Sequence, residues 1–193
     1  MKITRDSLLT LEAYARERAA FRTRVLEHKK PRTVHVGDHV TLLFEDELTI
    51  RYQIQEMLRI EKTFEESGIQ DEIDVYNPLV PDGSNWKATM LIEYEDVEER
   101  TRALARLAGI ENRVWIRVEG MERVYGIADE DLERAQPEKT ASVHFLRFEL
   151  TPGMVSALKG GAALAIGVDH PRYSATLDPV VGPTRRALIA DLA

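Results

Sequence analysis

The chain reads as an α+β protein: a mostly antiparallel sheet, ferredoxin-like in outline, with helices on one face and an N-terminal helical layer. Three observations predict this. Residues 86–169 run strand, helix, strand, strand, strand, helix, strand, which is two strand–helix–strand units separated by a hairpin. The first third carries apolar residues at helical spacings of three and four. No Gly/Ser-rich linker and no internal repeat interrupts the chain, so one domain over 1–193 is expected, with a helical layer over about 1–80 and a sheet-forming part over about 81–193.

Taken in order, Asp6 is the expected N-cap of a long first helix that Pro31 ends. Its apolar row is Leu8, Leu11, Tyr14, Phe21 and Val25, interrupted by Arg18. Thr33 to Phe44 alternates apolar and polar around Gly37-Asp38, the pattern of two short strands and a tight turn. Asp46 caps a second helix with Ile50, Ile54, Met57 and Phe64 on its core face, and Gly68 is expected to close it. A short third helix stops near Asn77-Pro78, because the residue before proline avoids the helical region. Pro78 to Asn85 is a loop.

Trp86 to Tyr94 is a strand, and Asp96-Val97-Glu98-Glu99 begins a helix that Gly109 terminates. Strands follow at 114–118 and 123–126, a polar loop at 128–139 and a strand at 142–150. Thr151-Pro152 opens a helix that Gly160-Gly161 ends. A final buried strand spans 163–168, and a C-terminal helix starts near Pro183.

With 193 residues, 44% of them hydrophobic and 31% charged, the chain can bury a full core. It has no cysteine, which excludes disulfides, thiolate nucleophiles and cysteine-ligated clusters and is compatible with a reducing cytoplasm. No apolar run follows Met1-Lys2-Ile3-Thr4-Arg5-Asp6 and no stretch is long enough to span a bilayer, so neither a secretory leader nor a membrane role is expected. The net charge of −7 argues against nucleic acid as a partner. That charge is segregated: residues 1–32 hold nine Lys/Arg against four Asp/Glu, and residues 45–74 hold three against ten. The first helix is therefore expected to pack on the acidic helices, within one chain or across a homodimer, or else to dock on an acidic partner.

Chemistry is concentrated in two runs, Tyr52 to Arg59 and Ile69 to Pro78. Glu56 and Glu72 are acid/base candidates, able to share a proton or a cation if they meet. Gln55, Arg59, Tyr76 and Asn77 are candidate ligand contacts on the same helices. Arg147, between Leu146 and Phe148 on a strand, needs a carboxylate if it points inward, and Glu56, Glu72 or Asp169 could supply it. One enclosed polar nest under a helical lid would gather Gln55, Glu56, Arg59, Glu72, Asn77 and Arg147. In Asp169-His170-Pro171-Arg172-Tyr173 a carboxylate beside an imidazole makes His170 a catalytic candidate and Tyr173 a ligand contact. The alternatives are solvated helix faces with ordinary ion pairs and an Asx-type turn. His35 and His39 lie at strand spacing around a turn, and His144 reads as a strand histidine with its hydrogen bonds satisfied. No Glu-x-x-His, His-x-x-x-His, Gly-x-Gly-x-x-Gly, P-loop or Gly-x-Ser-x-Gly motif occurs, so no metal and no cofactor is expected.

Leu42-Leu43-Phe44-Glu45, Gln53-Ile54-Gln55-Glu56-Met57-Leu58-Arg59, Tyr76-Asn77-Pro78-Leu79, Leu146-Arg147-Phe148 and Asp169-His170-Pro171-x-Tyr173 together resemble the bacterial family known as domain of unknown function 3501. The resemblance covers nearly the whole chain and implies no catalytic residues. It implies a redox gene neighbourhood, with a rubrerythrin-like protein and an iron–sulfur oxidoreductase as possible partners. Two functions remain open: a cytoplasmic accessory protein of a redox or peroxide-stress system, and an enzyme or binding protein with a carboxylate/Arg/His pocket for a small anionic ligand.

Overall fold

The computed structural model describes residues 2–128 and 139–193, and the chain divides into two compact units. The loop expected over 128–139 falls almost wholly outside the described residues.

The first unit comprises the chain up to Lys30 together with Glu45–Pro81. It holds α1 (Leu11–Lys29), α2 (Glu47–Glu61) and α3 (Glu66–Tyr76). Helix α1 starts later than Asp6 suggests. Thr10 is its cap, accepting a bond from the Ala13 amide, and Asp6 lies in a 3-10 turn at Arg5–Ser7. Asp46 caps α2 as expected, accepting from the Thr49 amide, while the Thr49 hydroxyl accepts from the Asp46 amide. The helix closes at Lys62, whose φ of 54° is left-handed, not at Gly68, which lies inside α3. The buried face of α2 is Ile50, Ile54, Gln55 and Leu58, while Phe64, outside the helix, is 65% exposed. Ile3, Leu8, Ile69, Ile73 and Val80 complete that core. Tyr14, Phe21 and Val25 form a second cluster, with the Phe21 ring stacked on Tyr52.

The second unit comprises Pro31–Phe44 and Asp82–Ala193, so the early hairpin belongs with the later strands. Its elements are β1 (Thr33–Val36), β2 (Val40–Phe44), β3 (Asn85–Ile92), α4 (Val97–Arg106), β4 (Val114–Val118), β5 (Arg123–Tyr125), β6 (Ile127–Ala128), β7 (Val143–Glu149), α5 (Pro152–Lys159), β8 (Leu164–His170), β9 (Tyr173–Leu177) and α6 (Gly182–Ala190). The class is α+β and every pairing is antiparallel. The strands nonetheless form two sheets, not one ferredoxin-like sheet: β1-β2-β3-β7-β6 and β5-β4-β8-β9.

The cause lies in the apolar pattern. Phe44, Trp86, Met90 and Phe148 on one sheet and Ile116, Leu164, Ile166 and Val168 on the other belong to a single core cluster, so each sheet buries one face against the other. The chain changes sheet between β5 and β6 at Gly126, where a Cβ would stand 3.1 Å from the Phe148 ring. Strand β9 follows β8 through a tight turn and was missed in the sequence because its exposed alternation carries little apolar signal.

Around this core, the Trp86 indole donates to the Leu188 carbonyl at 2.9 Å, and buried Arg32 forms a two-pronged pair with Asp191 at 2.7 and 2.8 Å. Both ionic side chains are at least nine-tenths buried, so removing the carboxylate takes a two-pronged, desolvated charge pair apart. Asp191→Ala is expected to destabilise this unit by about 3 kcal/mol, whereas the apolar double variant Arg32→Met/Asp191→Leu recovers most of the loss. Calorimetric melting of the three proteins checks this.

Candidate functional site

In the first unit, Glu56 sits on the face of α2 that meets α1. It accepts from the Tyr14 phenol at 2.6 Å, from Arg18 through two bonds of 2.8 Å, and from Arg59 at 3.3 Å. Arg18, the break in the apolar row of α1, exists to meet this carboxylate. The Arg18 guanidinium holds the Glu56 carboxyl down at about 2 against the opposing effect of burial, with Tyr14 and Arg59 helping. Burial and the adjacent carboxylate raise the Tyr14 phenol. A carboxylate so committed to its charged form is a poor proton acceptor near neutral pH, so Glu56 acts as a tie between helices.

Gln55 and Asn77 are spent on the backbone. Gln55 accepts from the Leu9 amide at 2.6 Å, and Asn77 accepts from the Ile3 amide and donates to its carbonyl, both at 2.9 Å. Tyr76 packs against the Ile3–Ile73 cluster. Glu72 is half-buried with one oxygen lacking a hydrogen bond, and burial followed by the charges of Glu61 and Asp71 raises its pKa. These residues stabilise the N-terminal segment on α2 and α3 and form no common pocket with one another. Two cations of the basic segment meet acids of the acidic one: Arg5 pairs with Glu66 and Arg18 with Glu56.

In the second unit, Arg147 pairs with Glu149, two residues along the same strand and therefore on the same face. Asp169 and His170 are successive strand residues, so they point to opposite faces and the expected carboxylate–imidazole couple does not form. The Asp169 carboxylate takes Tyr125 at 2.6 Å and Arg123 at 3.0 Å, with Arg113 at 3.1 Å. His170 instead braces its own turn. Its Nδ1 accepts from the Arg172 amide at 3.2 Å, which leaves Nε2 as the protonated nitrogen facing the Ala108 carbonyl at 3.3 Å. Tyr173 donates its phenol to the Val36 carbonyl at 2.6 Å and accepts from the His39 amide at 3.1 Å. His144 is held in a buried network in which Thr140 bridges it to Glu111.

The turns carrying His39 and Arg172 meet α4 at a cleft of about 790 Å³. His39 lies flat on Tyr94, ring centres 3.9 Å apart, and its Nδ1 donates to the Glu93 carbonyl at 3.0 Å. Asp96 caps α4 by accepting from the Glu99 amide at 2.7 Å. Glu99, Arg102 and Arg106 then follow at helical spacings of three and four and line the cleft together with Arg172. No motif in the sequence marks Arg102 or Arg106. Their spacing on one face of a capped helix was the signal available, but no second element visible in the sequence said what that face would meet. Among the described residues, no group of three or more His, Cys, Asp or Glu is placed to hold a metal ion, and no helix is long and apolar enough to cross a membrane. His35 is bonded to Thr41 at 3.0 Å.

Fold and site thus define an α+β protein with a helical unit, a two-sheet unit and an arginine-lined cleft in the latter. The chain belongs to the family described as protein of unknown function (DUF3501), whose model matches residues 2–192. It is also similar to a novel protein of unknown function from Burkholderia pseudomallei known from its crystal structure, with 59% identity, 100% of each chain covered and a TM-score of 0.93. No curated protein matches the chain.

Because the Glu56 pKa is depressed in the folded state, its contribution to stability is complete above the ordinary carboxylate range. It is lost as pH falls from about 4.5 through about 2. Glu56→Gln is expected to cost about 2 kcal/mol at pH 7, read as faster hydrogen exchange in α1, and the difference from wild type should shrink towards pH 3.

Proposed function

We propose that this protein binds a small anionic ligand in the cleft of its second unit. The observation that carries the reading is that three arginines, Arg102, Arg106 and Arg172, line one cavity beside the His39–Tyr94 stack. Guanidinium groups from separate elements suit a carboxylate or phosphoryl group, to which each offers planar, paired donors. The Tyr94 hydroxyl supplies an orienting donor, in the manner of a pocket with a few well-placed polar groups. Glu72 and His170 have no such surroundings: the first faces other carboxylates and the second is engaged in its own turn.

By calorimetric titration with citrate and inorganic phosphate, Arg106→Ala/Arg172→Ala is expected to lose at least about tenfold in affinity, while Arg59→Ala binds as wild type does. Loss of binding in Arg59→Ala alone would move the site to the first unit and defeat the reading.

A second reading, motivated by the lack of cysteine and by exposed apolar side chains on the first unit, is an accessory role in a cytoplasmic redox or peroxide-stress system beside an iron–sulfur oxidoreductase or a rubrerythrin-like protein. The cysteine-free chain assigns any iron–sulfur chemistry to the partner. Ile60, Phe64 and Val75 of the acidic first unit are each at least 60% exposed, which suits protein contact. Co-elution with such a partner at low salt, weakened by Phe64→Glu, is the expected result. Independent elution at low salt would count against this role.

A further inference from the structure

The cleft has a second half. A cavity of about 780 Å³ lies against the same His39, Tyr94 and Glu99, so these three residues are common to both. Charge is sorted across them. On one side stand Arg102, Arg106 and Arg172. On the other stand Asp38, Glu93 and Glu95 over a floor that includes Leu91 and Val143, with Arg100 as the only cation lining that half. Glu93 is fixed there by a 2.6 Å bond from the Thr41 hydroxyl. Burial, followed by Tyr173 and Glu99, raises the Tyr94 phenol, so this ring keeps its proton and remains a donor.

A cavity built only for anions would not continue into carboxylates. A carboxylate or phosphoryl ligand that entered the second half would meet like charge. A ligand with opposite charges at its two ends matches both halves at once, and its methylene chain would cover Leu91 and Val143. A divalent cation fits the acidic half poorly, since no group of three metal-capable side chains exists among the described residues.

Resting on the anion-binding reading above, we infer that the ligand is a zwitterion of the amino-acid class. Its acid group is held by Arg102, Arg106 and Arg172, its ammonium by Glu93, Glu95 and Glu99, and its chain crosses the His39–Tyr94 ridge.

The test compares, by calorimetric titration, a series of straight-chain ω-amino acids from glycine to 6-aminohexanoate with the carboxylic acids and amines of the same lengths and with inorganic phosphate. At the best length the amino acid is expected to bind about tenfold more tightly than its matched carboxylic acid. Glu95→Gln/Glu99→Gln should abolish that advantage, leaving the amino acid bound no more tightly than its matched carboxylic acid. Arg172→Ala should weaken both. Equal binding of amino acid and carboxylic acid, or binding of phosphate alone, overturns the zwitterion and leaves the anion site standing. Failure of every anion, phosphate included, overturns both.

Discussion

One phenol governs the end of the two-sheet unit where the cleft lies. The Tyr173 hydroxyl is pinned between the Val36 carbonyl and the His39 amide, so the start of β9 is bonded to the end of β1 and to the β1–β2 turn. The contact requires Gly37 between them. Its φ is +75°, and a Cβ there would lie 2.5 Å from the Tyr173 oxygen. With this bond made, Arg172 is carried to the cleft and His39 is set at the angle that lets it lie on Tyr94. Without it, the edges of the two sheets would have only side-chain packing to hold them in register, because β1 and β9 are not hydrogen-bonded as strands.

The first unit follows a different rule. Its polar side chains are consumed in joining one segment to another: Gln55 to Leu9, Asn77 to Ile3, and Glu56 to Tyr14 and Arg18. A long-range bond from a side-chain amide to a backbone peptide fixes chain path without needing apolar area, and here it adds to the packing of Ile3 and Leu8. The density of polar groups in that stretch, which looks chemical in the sequence, is mostly structural.

Much of the fold was legible because local signals were strong. Asp46, Asp96 and Thr151 cap the helices they were expected to cap, and the alternation of β3 matches its buried side chains Trp86, Ala88, Met90 and Ile92. What failed depended on distant partners. Periodicity alone could not tell Leu58 from Met57 on the core face of α2, and nothing local says that β4 pairs with β8 in a separate sheet. The candidate site was less legible for the same reason. The segment at 169–173 stands out in the sequence, but as a coupled Asp169 and His170, which strand geometry turns to opposite faces, while nothing in the sequence singles out His39. Arg102 and Arg106 gain meaning only when a turn from much later in the chain comes to face them.

The division of the chain bears on how the protein is made. Residues 31–44 leave the helical unit, join the strands, and return before the helices are complete. On the ribosome, α1, α2 and α3 can assemble while the β1–β2 hairpin waits with one edge bare until β3 emerges to cover it. Neither unit can be released as an intact piece by a single cut, and a genetic truncation after Pro81 would leave that hairpin bare for good, an open invitation to pair with a neighbouring molecule.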